Sequence, residues 1–468
     1  MKRERKTCLA LTFTLMAATM VAIACVLVVA EQPSLAQNAP AAQNAESTTY
    51  VAVEFADGTR SGRAITWTTA PTRAHALIMA GFEVEYDAAL GTICSIDGEG
   101  CPATDCFCAD NWWANAVWNA GAWDTTFPPP PVQDDDVLGF RNGPPPAAWG
   151  PPQWPAPRYR AIADALEWLR PRQSPDDGSY ASPFGKMGPT TDMALAVSAN
   201  SSGAEDWRRD AASPSLADYV LGPDAAEFVG RDASTAGKMG VTLAAMSGAA
   251  GAGQVCWPGM ASHIADYYEP STGTFYDGTV DQAGIQSWTI LGMAALSETI
   301  PAEAVDSLVD MANQDGGWAW SSAWGGSDAM ATAQSIQALL AAGVDTDTLA
   351  IQNGLDYLKD SQNDDGGFFY TISGDSDVSA TAYAVQAIIA AGEDPVKGTW
   401  QTYSGTVATN PISYLLAVQL PDGSFPAYSP MLATVQALPA LLERPYPLAI
   451  SPLPGCPTWS IFLPLVAR

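Results

Sequence analysis

The sequence predicts a multidomain chain, mostly α with a small α+β part: an α6/α6 toroid of six helix pairs preceded by a small β-rich domain. Three observations predict it. First, three stretches near the C-terminus are spelled almost alike: Asn313-Gln314-Asp315-Gly316-Gly317-Trp318, Asn363-Asp364-Asp365-Gly366-Gly367-Phe368 and Pro421-Asp422-Gly423-Ser424-Phe425. Each follows a helix-like run and precedes a small-residue helix, at Ala331-Thr332-Ala333, Ala380-Thr381-Ala382 and Ala433-Thr434-Val435. A period of roughly 50 residues with a helix on each side of a Gly turn is a repeat architecture, and one pair cannot bury its apolar face alone. Second, weaker copies lie upstream. Asp176-Asp177-Gly178-Ser179-Tyr180 stands between Ile162–Leu169 and Met193–Val197, and Thr272-Gly273-Thr274-Phe275 between His263–Tyr268 and Ile285–Leu296. Leu216–Val220 and Ser234–Met246 add a pair without the Gly turn. Third, the part before these copies alternates apolar and polar residues in short runs broken by turn signals, the mark of strands.

Taken in order, residues 1–36 read as a signal peptide. Basic Met1–Lys6 precedes an apolar run from Thr7 to Ala30, and Ser34-Leu35-Ala36 is a small-residue cleavage site. An uncleaved anchor is the alternative, because a run of that length spans a bilayer. The expected location is therefore secreted or cell-surface. Residues 37–47, rich in Ala, Gln and Asn, read as a disordered linker.

Residues 48–143 read as the β-rich domain. Tyr50–Phe55 alternates like a strand, Asp57-Gly58 is a turn, and Ala64–Trp67 is a second strand. Thr72–Ala80 reads as a short helix ending at Gly81; Phe82–Tyr86, Asn111–Trp118 and Val137–Arg141 read as strands. In an exported chain the cluster Cys94, Cys101, Cys106 and Cys108 reads as disulfides. Cys106 and Cys108 are too close to pair with each other, so they are expected to bond Cys94 and Cys101 in an order left open. A zinc cluster is the competing reading. Residues 144–156 form a Pro-rich, semi-rigid linker, residues 157–445 the toroid, and residues 446–468 a C-terminal tail, whose apolar end Thr458–Arg468 reads as a docking or sorting element or a strand tucked onto the fold.

The Gln–Asp–Gly–aromatic turns make the helical part resemble the terpenoid-cyclase and prenyltransferase-like α/α toroid family. Gln173, Gln314, Gln362 and Gln419 stand just before four turns, as in that family's glutamine–tryptophan repeats. The β-rich part resembles the small β domain of transcobalamin and intrinsic factor. The likeness lies in the helix exit Ala80-Gly81-Phe82, the strand Trp112–Trp118 and the strand Asp135–Phe140. Here that domain precedes the ring, whereas in transcobalamin it follows.

Composition excludes some partners. The chain has 468 residues, a net charge of −29 and only 21 Lys plus Arg, which disfavours nucleic acid and anionic membrane surfaces. Membrane contact is expected only through an uncleaved signal or the tail. Catalytic signatures of related rings are absent from the sequence. Asp134-Asp135-Asp136 and Asp375-Ser376-Asp377 do not complete the Asp-x-Asp-Asp acid of class II cyclases, and two histidines, His75 and His263, do not supply a zinc site of the prenyltransferase type.

The candidate ligand contacts are therefore polar residues at the starts of the inner helices. Asp328 and Thr332, like Asp377 and Thr381, place an acid and a hydroxyl one turn apart; Gln337 and Gln386 sit at equivalent interior positions. The same side chains also read as helix caps and structural partners. The transcobalamin resemblance adds Asp192 and Asp281, which match its ligand-contacting Asp, while Gly278 stands where its cobalt-coordinating His would be. The expectation is an exported, non-catalytic binding protein holding a corrinoid or another large small molecule between toroid and β domain. A cell-surface adhesion or scaffold protein and a terpene-cyclase-like enzyme are the alternatives.

Overall fold

A computed structural model of the chain describes residues 47–450, except 90, 109–111, 120–121, 144–151, 153, 249–256, 277–279 and 371–373. The expected signal, the linker up to residue 46, most of the Pro-rich linker, Cys256, Cys456 and the tail beyond residue 450 lie outside the described residues.

Alternation makes the sheet two-faced. Ser47–Glu54 (β1) and Arg60–Trp67 (β2) form a hairpin. Thr72 caps Arg73–Met79 (α1), its hydroxyl accepting from the His75 amide. Val84–Asp87 (β3), Thr92–Ile96 (β4) and Glu99–Gly100 (β5) make a small antiparallel sheet. Trp112–Asn119 (β6), Ala122–Asp124 (β7) and Val137–Gly143 (β8) complete the main sheet, ordered β2-β1-β8-β6-β7, with β1 and β8 parallel. Val51, Val53, Leu138 and Phe140 point to one face, against Leu77, Phe82, Ile96 and Trp113. Ala52 and Val137, the alternate positions, join the core of the helical part. Disulfides Cys94–Cys106 and Cys101–Cys108 resolve the open pairing. They tie down β4 and β5, where only a loop was expected.

The helical part alternates outer and inner helices. Ala156–Leu169 (α2) leads to Met187–Ala199 (α3). Leu216–Val220 (α4) and Asp224–Val229 (α5) lead to Ala233–Gly248 (α6), and Met260–Ala265 (α7) leads to Ala283–Ala295 (α8). Ala302–Asp310 (α9) precedes Ala329–Ala341 (α10), Leu349–Asp360 (α11) precedes Val378–Ala390 (α12), and Pro411–Val418 (α13) precedes Pro430–Leu441 (α14). The helices α3, α6, α8, α10, α12 and α14 each pack on the next, and α14 returns to α3. Their small residues allow close approach: a Cβ on Gly237 of α6 would stand 2.3 Å from the Trp288 carbonyl oxygen of α8. The outer helices are amphipathic; α11 buries only Ile351, Gly354, Leu355 and Leu358.

The repeated turns act as clips between pairs. Their aromatics Tyr180, Phe275, Trp318, Phe368 and Phe425 are buried. Each aromatic donates its amide to a side chain of the inner helix that follows: Thr190 at 2.9 Å, Gln286 at 3.1 Å, Thr332 at 2.9 Å, Thr381 at 2.9 Å and Thr434 at 3.0 Å. Gln173, Gln362 and Gln419 donate to the carbonyls of Gly178, Gly366 and Gly423. Gln314 is a correction. It is exposed, and Ala312, not Gln314, stands four residues before its turn glycine, Gly316. The last turn meets the first outer helix. Gly423 has φ +88°, a Cβ there would lie 2.2 Å from the Asp164 carbonyl oxygen, and Gln419 also donates to Ala161 at 2.8 Å.

The sheet docks through β2. Asn200, just past α3, brackets the Gly62 backbone, accepting from its amide at 3.0 Å and donating to its carbonyl at 3.3 Å. Glu443, just past α14, accepts from Arg60 of β2 at 2.5 Å, from Trp154 Nε1 at 2.9 Å and from Arg158 of α2. No helix among the described residues is long and apolar enough to cross a membrane.

Candidate functional site

Inside the ring, side chains from successive inner helices converge on one residue. After α14 the chain reverses at Glu443, where φ is +57°, and Arg444 donates its amide to Pro439 at 2.8 Å. It then carries Tyr446 back among the inner helices, where only 4% of the residue stays exposed. The Tyr446 amide donates to Gln337 Oε1 of α10 at 2.8 Å. Its ring lies 5.6 Å from Trp288 of α8 and 6.3 Å from Tyr383 of α12. Buried Asp192 of α3 and half-buried Lys238 of α6 form an ion pair at 2.5 Å, and Lys238 Nζ stands 5.4 Å from the Trp288 ring centroid. Burial first, then the charge of Asp192, holds the Tyr383 phenol far above its usual range; burial, Tyr383 and Asp192 do the same to Tyr446. The chamber is thus aromatic, polar at selected points and closed to water at its centre.

The sequence-predicted residues divide among three places. Asp192 lies inside α3, past its first turn, and faces the chamber rather than the mouth. Asp281 stands exposed before α8, its carbonyl accepting from the Ser322 amide at 2.9 Å. Asp328 and Asp377 are the N-caps of α10 and α12, accepting from Ala331 at 2.7 Å and Ala380 at 2.8 Å. Asp328 also accepts from Trp320 at 3.3 Å, yet burial outweighs these amides and raises its pKa. Thr332 and Thr381 serve the clips. Gln337 reaches the chamber. Gln386, one turn on from Tyr383, is fully buried; its Nε2 donates back to Ala382 at 3.3 Å, and its Oε1 has no partner among the described residues.

Lys238, Trp288, Tyr383 and Tyr446 were not found by sequence reasoning. One signal was available: Lys238 is the single charge in the small-residue stretch Ala233–Gly248. Tyr446 offered none, because its place depends on a chain reversal. A separate cleft of about 740 Å³ lies between the sheet and α2–α3, lined in part by Arg63, Asp97, Arg170, Asp206 and Trp207. Burial lowers the Arg63 pKa to about 10. Among the described residues, no three His, Cys, Asp or Glu are grouped to hold a metal ion.

Residues 279–429, from just before α8 to just before α14, match the family of the squalene-hopene cyclase C-terminal domain. Solved structures with a similar fold include the type II terpene cyclase MstE from Scytonema, at 15% identity over 61% of this chain and 97% of that one, with a TM-score of 0.43. A substituted MstE in complex with its substrate, geranylgeranyl dihydroxybenzoate, is similar at 14% identity over 61% and 97%, TM-score 0.41. A protein from Actinoplanes is similar at 15% over 61% and 99%, TM-score 0.37. No curated protein matches significantly. Over residues 279–429 the helical part is therefore terpenoid-cyclase-like. This corrects the expectation of a non-catalytic corrinoid carrier, because the family that residues 279–429 match is that of a cyclase domain.

Proposed function

We propose that the chain is a terpene-cyclase-like enzyme that closes rings in a polyprenyl chain held in the chamber. The observation that carries this reading is a buried carboxylate, Asp192, set near Tyr383 and Tyr446 and paired with a lysine over Trp288. Cationic cyclisation adds a proton to one alkene carbon, moves π electrons into new C–C bonds, and removes a proton beside the last cation. It is an isomerisation and consumes no co-reactant. Asp192 in its protonated form is the proposed proton donor and its carboxylate takes the last proton back, while Lys238 positions it and balances its charge in between. Trp288 and Tyr383 offer π faces to positive charge, each worth roughly 0.5–2 kcal/mol as a cation–π contact. Trp288 already holds an ammonium over its ring, so that face is aimed where a cation would sit. Asp281, Asp328 and Asp377 at the mouth, with Gln337 and Gln386 inside, are the proposed polar contacts for a head group; Thr332 and Thr381 act one step back, through the clips.

The test is incubation of the full chain with linear C20 and C30 polyprenyl substrates, with products separated by gas chromatography and mass spectrometry. A cyclic isomer of unchanged mass is expected, and it should vanish in the folded double variant Asp192→Asn/Lys238→Met. A second reading, a surface scaffold, is favoured by one observation: Tyr446 fills the chamber. Complete absence of cyclic product across the substrates would support it.

We also infer that the outer and inner helices make six pairs of one α6/α6 toroid over 157–445, and that residues 48–143 are a transcobalamin-like β domain. Residues 1–36 are proposed to direct export, which N-terminal sequencing of the secreted chain would test.

A further inference from the structure

The segment that fills the chamber is held differently from everything around it. Inner helices are fixed by continuous backbone ladders. The sequence Glu443-Arg444-Pro445-Tyr446-Pro447-Leu448-Ala449 has proline on both sides of its deepest residue, so two positions have no amide to satisfy. The Tyr446 amide goes to a side chain, Gln337, and not to a neighbouring strand or helix. Little backbone bonding is therefore lost when the segment leaves. In the chamber Asp192 and Lys238 remain paired, and Gln337 Oε1 gives up its contact with the Tyr446 amide. At the base of the segment one carboxylate, Glu443, collects Arg60 of the sheet, Arg158 of α2 and Trp154. At its far end Ala449 lies against Gly248, the last residue of α6. The segment thus enters and leaves at the C-terminal ends of the inner helices, away from the mouth at Asp328 and Asp377.

We propose that residues 443–449 are a removable internal plug, which occupies the chamber as its own ligand and withdraws when an apolar chain enters. The identity of that chain as polyprenyl rests on the cyclase reading; the plug does not. Glu443 is its positioning residue, linking withdrawal to the docking of the sheet.

The experiment is hydrogen exchange on the full chain, resolved to the Tyr446 amide and to α8, α10 and α12. Local withdrawal predicts that Tyr446 exchanges at least about 100-fold faster than those helices, because it opens without global unfolding. Glu443→Gln should raise the Tyr446 rate further and leave the helix rates unchanged. Exchange of Tyr446 at the helix rate in both chains overturns the plug. A disulfide lock, Gly248→Cys with Ala449→Cys, joins neighbouring positions: Ala449 Cβ lies 2.9 Å from a Cβ built on Gly248, so the segment must give by about 1 Å to reach the spacing of roughly 3.8 Å that a disulfide takes; each single variant is the control. The cyclisation assay then separates the two readings. Product from the oxidised lock at the native rate overturns the plug and keeps the cyclase. No product from any chain, with fast local exchange at Tyr446, keeps the plug and removes the cyclase.

Discussion

The Asp192–Lys238 pair sets the stakes at single residues. The two side chains are 5% and 16% exposed, so each charge relies on the other. Asp192→Asn alone leaves a lysine without its counter-ion in a poorly hydrated chamber. It should cost about 3–5 kcal/mol, whereas Asp192→Asn with Lys238→Met should recover most of that loss. Urea unfolding of the three chains measures both terms, and an additive double variant would show that the pair is not coupled. Asp328 offers a pH test. Its pKa is raised in the folded chain by burial, while an unfolded Asp titrates near about 3.9. Between those two values the native state binds more protons than the unfolded state. Stability from this group therefore rises as pH falls through the folded pKa, and levels off below the unfolded one. Asn caps a helix as well as Asp does. Asp328→Asn should therefore be more stable than the native chain at pH 7, with the advantage shrinking on acidification. A constant difference from pH 7 to pH 3.5 would contradict this.

Among the elements, the repeated turn carries the architecture. Its glycine takes a positive φ and leaves no room for a side chain, and its aromatic amide is seated on the next inner helix by Thr or Gln. Gly423 and Gly343 separate the two glycine roles, because both have φ +88°, yet a Cβ on Gly343 meets nothing within 4 Å. Gly343→Ala should cost about 1 kcal/mol, the price of the left-handed backbone alone. Gly423→Ala must in addition push the turn off Asp164, and should cost clearly more. Thermal unfolding of the two variants reads the difference; equal losses would mean that the last turn does not press on the first outer helix as described.

For the whole molecule, charge is the dominant long-range term. Fifty acidic residues face 21 basic ones, and several of the basic ones are committed to the dock between sheet and ring, such as Arg60 and Arg158 on Glu443. Self-repulsion of this kind is screened as the Debye length falls from about 30 Å at 0.01 M salt to about 8 Å at 0.15 M. The melting temperature should therefore rise with NaCl over that range. A flat or falling curve would mean that the surface acids are balanced locally.

What the sequence by itself determined is the part governed by local chemistry. Gly before an aromatic at a regular spacing, small residues in the following helix, and alternation in the first strands are each satisfied within a few residues. They were legible for that reason, down to the Thr332 and Thr381 positions and the caps at Asp328 and Asp377. The cysteine cluster was legible as a set, but not as Cys94–Cys106 and Cys101–Cys108. Gln314 misled because nearness to a turn is not the same as its register. Tertiary structure alone decided the chamber. Asp192 meets Lys238, and Tyr446 meets Gln337, Trp288 and Tyr383, across long stretches of chain. Those meetings depend on where the helices place their faces once the ring has packed and the chain has reversed at Glu443, and no local pattern encodes that distance.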